Sequence, residues 1–395
     1  MKVALVHDYL REYGGAERVV EVLHELYPEA PLYTSFVDWR ALGEHAHRFK
    51  KWDIRTSWVQ KNWVMRRFHS ALRFLTPLVW ESLDLREFNV IISSSGWFMC
   101  RGVVTRPEQV HISYIHHPPR NLYGYPTGSP PNGLIKFYGA VVNPFLRMYD
   151  FATAQRVDYL IANSKETQAR IKKFYRREST VIYPPASLRE ALRAGPPIEA
   201  ARITYQVSSK KSNYYLSVGR LTYAKRVDLA IKAANELKLP LKIVGIGKEE
   251  KYLRSIAGST IEFTGAVSDA QLNVLFNDAM ALIFCALQED FGIVPVEAMA
   301  HGTPVVALKQ GGVVETVVDG KTGVFFNVAT VSSLVTAIQK FTTLNYAELS
   351  RQSVKQAAKF SKAVFLRNMK DFVETAWNNS SKVPVEKIFP RISSR

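Results

Sequence analysis

Residues 214–245, YYLSVGRLTYAKRVDLAIKAANELKLPLKIVG, decide the fold. Tyr214–Val218 is an apolar run that ends at Gly219. Val227, Ala230, Ile231, Ala234 and Leu237 then recur three and four residues apart, the spacing of one helix face. Leu241–Val244 is a second apolar run. Strand, helix and strand in roughly thirty residues make a crossover unit with parallel strands. The alternation continues with strands at Ile261–Phe263, Met280–Cys285, Thr303–Ala307 and Gly323–Phe326. Helices are expected over Asp269–Asn277 and through Val331, Leu334, Val335, Ile338 and Phe341. The pattern predicts an α/β domain whose parallel sheet is covered by helices.

The first half repeats the theme. Lys2–Val6 is a short strand, and Asp8–Gly15 a loop holding Gly14-Gly15. Val19, Val20, Leu23, Leu26 and Tyr27 follow at helical spacing. More strands are expected at Val90–Ser93, His111–Ile115 and Tyr159–Ala162. Residues 186 to 212 contain Gly195-Pro196-Pro197 and the run Ser208-Ser209-Lys210-Lys211-Ser212, and read as a linker. Two α/β domains with a cleft between them are the simplest architecture.

Composition narrows the function. Of 395 residues, 47% are hydrophobic and 22% charged, which excludes a disordered tail, a collagen and a coiled coil. Apolar runs such as Ala279–Leu287 are far short of the roughly 18 residues of a spanning helix. The N-terminal apolar stretch turns polar at His7 and Asp8, too early for a signal peptide. Cys100 and Cys285 are the only cysteines, so a disulfide framework is excluded and a reducing cytosol is expected. Lys plus Arg is 52 against 35 for Asp plus Glu, a net charge of 52 − 35 = +17. The partner should therefore be negative: nucleic acid, an anionic bilayer or a phosphorylated small molecule.

Ligands of parallel sheets sit at the carboxyl ends of strands. Arg220 and Lys225 follow the strand that ends at Val218, and such a cation pair suits a diphosphate. Residues 289–306, EDFGIVPVEAMAHGTPVV, carry Glu289 and Glu297 with seven residues between them. Phe291 and Gly292 precede a helix whose first N–H groups are free for an anion. A carboxylate in that helix suits ribose hydroxyls.

The string EDFGIVPVEAMAHGTPVV resembles the paired-glutamate region of the family 4 glycosyltransferases, which have the GT-B fold. VGRLTYAKRVDLAI resembles the diphosphate-binding segment of that family, and TGAVSDAQLNVLF and GGVVETVVDGKTGVFF other parts of its C-terminal domain. HDYLREYGGAERVV, SSSGWFMCRGV and SYIHHPPRNLYGY resemble its N-terminal domain. The resemblance covers most of residues 1 to 375 and is weak over 40 to 80 and 186 to 212. It implies two Rossmann-like domains facing each other across a cleft: residues 1–190 on the acceptor side and 200–374 holding the nucleotide sugar. A final helix near 375–395 is expected to cross back.

The same resemblance implies retaining sugar transfer from a nucleotide donor to a hydroxyl, with no cofactor and no bound metal. No Asp-x-Asp pair of the metal-binding kind is present. Arg220 and Lys225 match the pair on the donor diphosphate, and Glu297 the ribose ligand. Glu289 matches the carboxylate facing the donor sugar, with the N–H groups of Phe291 and Gly292 beside it. His116 matches a histidine near that sugar, and Gly15 a loop glycine that lets diphosphate and acceptor approach. Arg226 stands where Gly is more frequent, and His117 where Thr is common. The motif set most resembles mannosyltransferases using GDP-mannose, and a lipid-linked glycan or glycolipid is the expected acceptor. UDP-glucose, UDP-galactose and other GDP-sugars are the alternative donors. A basic nucleic-acid binder without transferase activity is the other reading, but it does not predict paired glutamates at a strand end, so no nucleic-acid partner is expected.

Residues 46 to 76 hold eight Lys or Arg and one acid, Asp53, interleaved with Trp52, Trp58, Trp63, Phe68 and Phe74. They read either as a solvated helix pair with its aromatics inside or as a surface for an anionic membrane. On the second reading the protein is cytoplasmic and peripheral on the inner face of the membrane.

Overall fold

The computed structural model describes residues 1–128, 133–186 and 213–380. The first sheet contains β1 (Val3–His7), β2 (Leu32–Thr34), β3 (Ile54–Thr56), β4 (Val90–Ser95), β5 (Val110–Ile115), β6 (Tyr159–Ala162) and β7 (Thr180–Val181). The second contains β8 (Tyr215–Val218), β9 (Leu241–Val244), β10 (Ile261–Gly265), β11 (Ala281–Phe284), β12 (Val305–Leu308) and β13 (Gly323–Phe326). The strand orders are β3-β2-β1-β4-β5-β6-β7 and β10-β9-β8-β11-β12-β13, with parallel pairing throughout. This is the doubly wound α/β pattern, present twice.

Strands buried on both faces must be apolar along their whole length. In β1, Val3 and Leu5 face a core with Val20, Leu23 and Val90, while Ala4 and Val6 face another with Val59, Trp80 and Ile91. Strand order reverses between β1 and β4, and again between β8 and β11. Crossover chains leave such a point in opposite directions, which opens a crevice at the carboxyl ends. The loops framing it run through 8–14, 96–99, 219–226 and 285–292.

Three strands escape sequence reading because they are only two or three residues long: β2, β3 and β7. One of them corrects the helix-pair reading of residues 46–76, since β3 is an edge strand of the first sheet. Most of the expected linker, residues 187–212, lies outside the described residues. The returning helix spans Lys362–Ser380, beginning earlier than expected. Its Phe365, Met369, Val373 and Ala376 join the core of the first sheet, so the second domain's own packing ends near residue 361 rather than 374. Residues 381–395 lie outside the described residues.

A buried ion pair ties the helix Gly133–Arg156 to the first domain. Arg101 and Asp150 are both fully buried and bonded to each other. Arg101 also donates to Ser95 Oγ and to Tyr175 Oη, each at 3.1 Å, and Tyr123 Oη donates to Asp150 at 2.7 Å. Removing one partner strands the other charge in the core. Asp150→Ala is therefore expected to lower unfolding stability by about 3–5 kcal/mol, and Arg101→Met with Asp150→Leu to recover much of that loss. Denaturant titration measures both.

Candidate active site

The second domain brings four expected residues to one edge of the crevice. Lys225 Nζ lies 2.8 Å from Glu289 Oε2, so the loops after β8 and β11 are joined by an ion pair. Burial pushes the Glu289 carboxyl up, but Lys225, Arg120 and Arg220 outweigh it and hold it at about 2. Glu289 is thus a fixed anion near neutral pH. Its backbone is held by close approach: Gly312 N donates to Glu289 O at 2.7 Å. A Cβ on Gly311 would stand 2.2 Å from Glu289 O, and Gly311 has φ +71. Only glycine fits there.

Gly292 caps the helix Ile293–Ala300 in a left-handed conformation, φ 84. The first N–H groups of that helix have no intrahelical acceptor. The Phe291 ring is a packing element, 5.7 Å from the Tyr183 ring and 5.5 Å from that of Phe360. Glu297, buried in the same helix, bonds to Arg18 of the first domain. Arg226 has φ 48, the left-handed region that favours glycine, and is held by two bonds to Asp228 at 2.9 and 3.2 Å. The ion pair substitutes for glycine's conformational freedom at that position.

On the facing side, Gly15 opens the helix Gly15–Leu26, and no protein atom lies within 4 Å of where its Cβ would be. Packing therefore does not require glycine at this position, and the space beside it is open. The His116 ring is buried, with Nε2 2.7 Å from Ser94 Oγ. Ser94 Oγ is also 3.3 Å from His7 Nδ1, and His7 Nε2 stands 3.5 Å from Glu17. Burial, then His7 and His117, push the His116 pKa well down. At His7, burial works downward but the Glu17 carboxylate overcomes it, and the pKa rises. His116 is a neutral imidazole held by a buried polar chain. Its neighbour His117 has Nδ1 3.1 Å from its own loop's Pro118 O.

The residues missed in the sequence are those that join the domains. Arg120 donates to Asp290 at 2.7 Å and to Gln288 O at 3.0 Å. Arg170 bonds the other oxygen of Asp290. Glu315 accepts from the N–H groups of Lys165 and Glu166 at 2.8 and 3.0 Å, at the start of the helix Lys165–Tyr175. Glu12 accepts from Arg220 at 2.7 Å. Arg120 was visible in the string HHPPR and Asp290 in EDFG, but their pairing spans 170 residues and no local spacing reveals it.

Among the described residues no three His, Cys, Asp or Glu side chains converge as a metal site. The cations at the crevice include Arg220, Lys225 and Arg120, suited to a phosphate-bearing ligand.

Two doubly wound domains facing each other at their switch points are the GT-B fold. Residues 202–360 match the model of the family described as glycosyl transferases group 1, so the second half of the chain carries a domain of that kind. It is 25% identical over 382 residues to the alpha-1,3/1,6-mannosyltransferase ALG2 of Debaryomyces hansenii, covering 80% of this chain and 76% of that protein. The UDP complex of HepE from Anabaena superposes with TM-score 0.67 at 18% identity, over 95% of this chain and 100% of that one. Sucrose-phosphate synthase from Thermosynechococcus elongatus gives 0.70 at 17%, over 96% and 100%.

Two outcomes follow. Glu12 occupies Arg220 with a carboxylate where an anionic ligand should sit. Glu12→Gln is expected to tighten nucleoside diphosphate binding by up to about 5-fold, the scale of an exposed ion pair, while Arg220→Ala weakens it; calorimetry reads both. Because the folded Glu289 pKa is depressed, its contribution to stability is present above roughly 4.5 and lost as pH falls towards 2. Glu289→Gln should therefore lower turnover at every pH from about 5 to 9 without moving either limb of the pH–rate profile.

Proposed function

We propose that the protein transfers mannose from GDP-mannose, with retention of configuration, to a hydroxyl of a lipid-linked glycan or glycolipid. The observation that carries this is the cluster of Arg220, Lys225, Glu289 and Glu297 at the β8/β11 switch point, facing Gly15 and His116. The donor diphosphate lies against Arg220, Lys225 and the start of the helix Ile293–Ala300, which neutralise charge as it grows on the leaving group. Glu297 takes the ribose after exchanging Arg18 for hydroxyls. Glu289 and neutral His116 flank the sugar. The choice of mannose is supported by the likeness to ALG2 over four-fifths of the chain. A UDP-sugar donor is the second reading, favoured by the likeness to HepE bound to UDP.

The lipid-linked acceptor places the enzyme at an anionic membrane, on the cytoplasmic face. Among the described residues no helix is long and apolar enough to cross a bilayer. Within residues 46–76, Arg48 is committed to Glu21 and Asp269, and Arg55 to Asp53 and Glu87. Trp52 stacks on His24 at 3.8 Å. The lipid-facing part of the segment therefore narrows to Lys50, Lys51, Lys61, Arg66, Arg67 and Arg73 with exposed Trp58, Trp63, Phe68 and Phe74.

Thermal shift with GDP, UDP and ADP, then their sugars, tests the donor, since a ligand of the native state raises Tm. GDP and GDP-mannose are expected to stabilise; stabilisation by UDP-sugars alone would replace the donor. Arg220→Ala should lower kcat by roughly 10²-fold. Activity should survive EDTA, and strict dependence on added Mg²⁺ or Mn²⁺ would overturn the charge accounting.

A further inference from the structure

The helix Gly133–Arg156 is apolar on two opposite faces. At 100° per residue, Leu146, Asp150, Thr153 and Ala154 point one way, and all four are buried. Phe137, Val141, Phe145 and Met148 fall within roughly 80° of one another on the other side. These four are 70%, 52%, 69% and 70% exposed, and Phe151 extends the stripe. Nothing in the described chain covers them. The segment 66–78 lies alongside: Tyr138 Oη donates to Ala71 O, and Arg73 to Asn143, each at 2.5 Å. Phe68, Phe74 and Leu78 are exposed on that neighbouring segment.

Charge identifies the occupant. Residues 61–80 and 133–149 contain Lys61, Arg66, Arg67, Arg73, Lys136 and Arg147, and no Asp or Glu. The nearest acid beyond them on the helix, Asp150, is buried against Arg101. A second copy of the chain would set this cationic region against itself, and like charges facing each other disfavour association. An apolar stripe in a mainly basic setting, with Glu81 neutralised by Arg156 at the far end of the helix, matches a surface with hydrocarbon below and negative headgroups above.

We propose that the outward face of the helix Gly133–Arg156 is a bilayer-docking surface, its apolar stripe entering the acyl boundary of an anionic leaflet while the surrounding cations hold the headgroups. The proposal rests on the membrane reading above and adds the element that inserts. The helix lies in the membrane plane; it does not span.

The test uses the full chain and vesicles of phosphatidylcholine, with and without about one-third phosphatidylglycerol. Wild-type protein is expected to co-sediment with the anionic vesicles only. Phe137→Ser, Phe145→Ser and Met148→Ser combined are expected to lower that partitioning by at least about 10-fold, with unchanged circular dichroism, since burying each side chain contributes to binding. Arg66→Gln with Arg67→Gln should weaken binding and make what remains less salt-sensitive. A single-site probe does not depend on the triple variant folding: Cys100 and Cys285 are both buried, so Phe145→Cys supplies an accessible thiol for a polarity-sensitive dye. Its emission should shift to the blue on anionic vesicles, whereas a dye at Val328→Cys, exposed on the second domain, should not shift. No binding of the wild type to either vesicle overturns the membrane reading and this one together. Undiminished binding of the triple variant, or no shift at position 145 while the wild type binds, overturns the helix assignment alone. A dimer seen by light scattering that the triple variant abolishes would assign the face to a second copy instead.

Discussion

Parallel strands cannot be joined without crossing over a face of the sheet, and the crossover has one favoured hand. A sheet built outwards in both directions from its first strand must therefore contain a seam where neighbouring chains diverge. Here the seams lie between β1 and β4 and between β8 and β11. The four loops leaving them carry Asp8 to Gly14, Gly96 to Met99, Gly219 to Arg226 and Cys285 to Gly292. Every other feature of the site depends on that geometry, because it brings loops from distant parts of the chain to one crevice.

Electrostatics then organises the crevice. Its charged groups are paired: Lys225 with Glu289, Arg220 with Glu12, Arg18 with Glu297, and Arg120 and Arg170 with Asp290. Several of these pairs join the two domains, and at Glu12–Arg220 and Arg18–Glu297 they involve groups that a nucleotide would contact. On the function proposed above, donor binding is an exchange of partners, in which phosphate replaces Glu12 and ribose replaces Arg18. Asp290 differs, since its two arginines lie on the first domain and hold the loop that carries Glu289. It positions that loop while Glu289 remains within the field of three cations.

The basic excess divides in the same way. Arg48 and Arg55 act within the protein, as fixed members of ion pairs. Arg101 is fully buried and anchors a helix. Lys61, Arg66, Arg67, Arg73, Lys136 and Arg147 lie on the segments that carry the exposed stripe Phe137 to Met148, on a helix whose inner face is fixed to the core. Its hydrophobic pattern is nearly symmetrical around the axis, which hides it from a search for one-sided helices.

The sequence by itself determined the parallel strands and the grouping of Glu289 and Glu297 about one strand end, because both are local patterns. Apolar runs such as Leu241–Val244 and Val305–Leu308 are long enough to read, and Glu289 through Glu297 lie within one strand-to-helix turn. It was silent on β2, β3 and β7, too short for any period to show, and on the helix Gly133–Arg156, whose two apolar faces cancel. Only the tertiary structure decided that Lys362–Ser380 completes the first domain's core, that Arg18 meets Glu297, and that Ser94 links His7 to His116. Those contacts join residues tens to hundreds of positions apart, and their partners are chosen by where the folded sheets place them rather than by spacing along the chain.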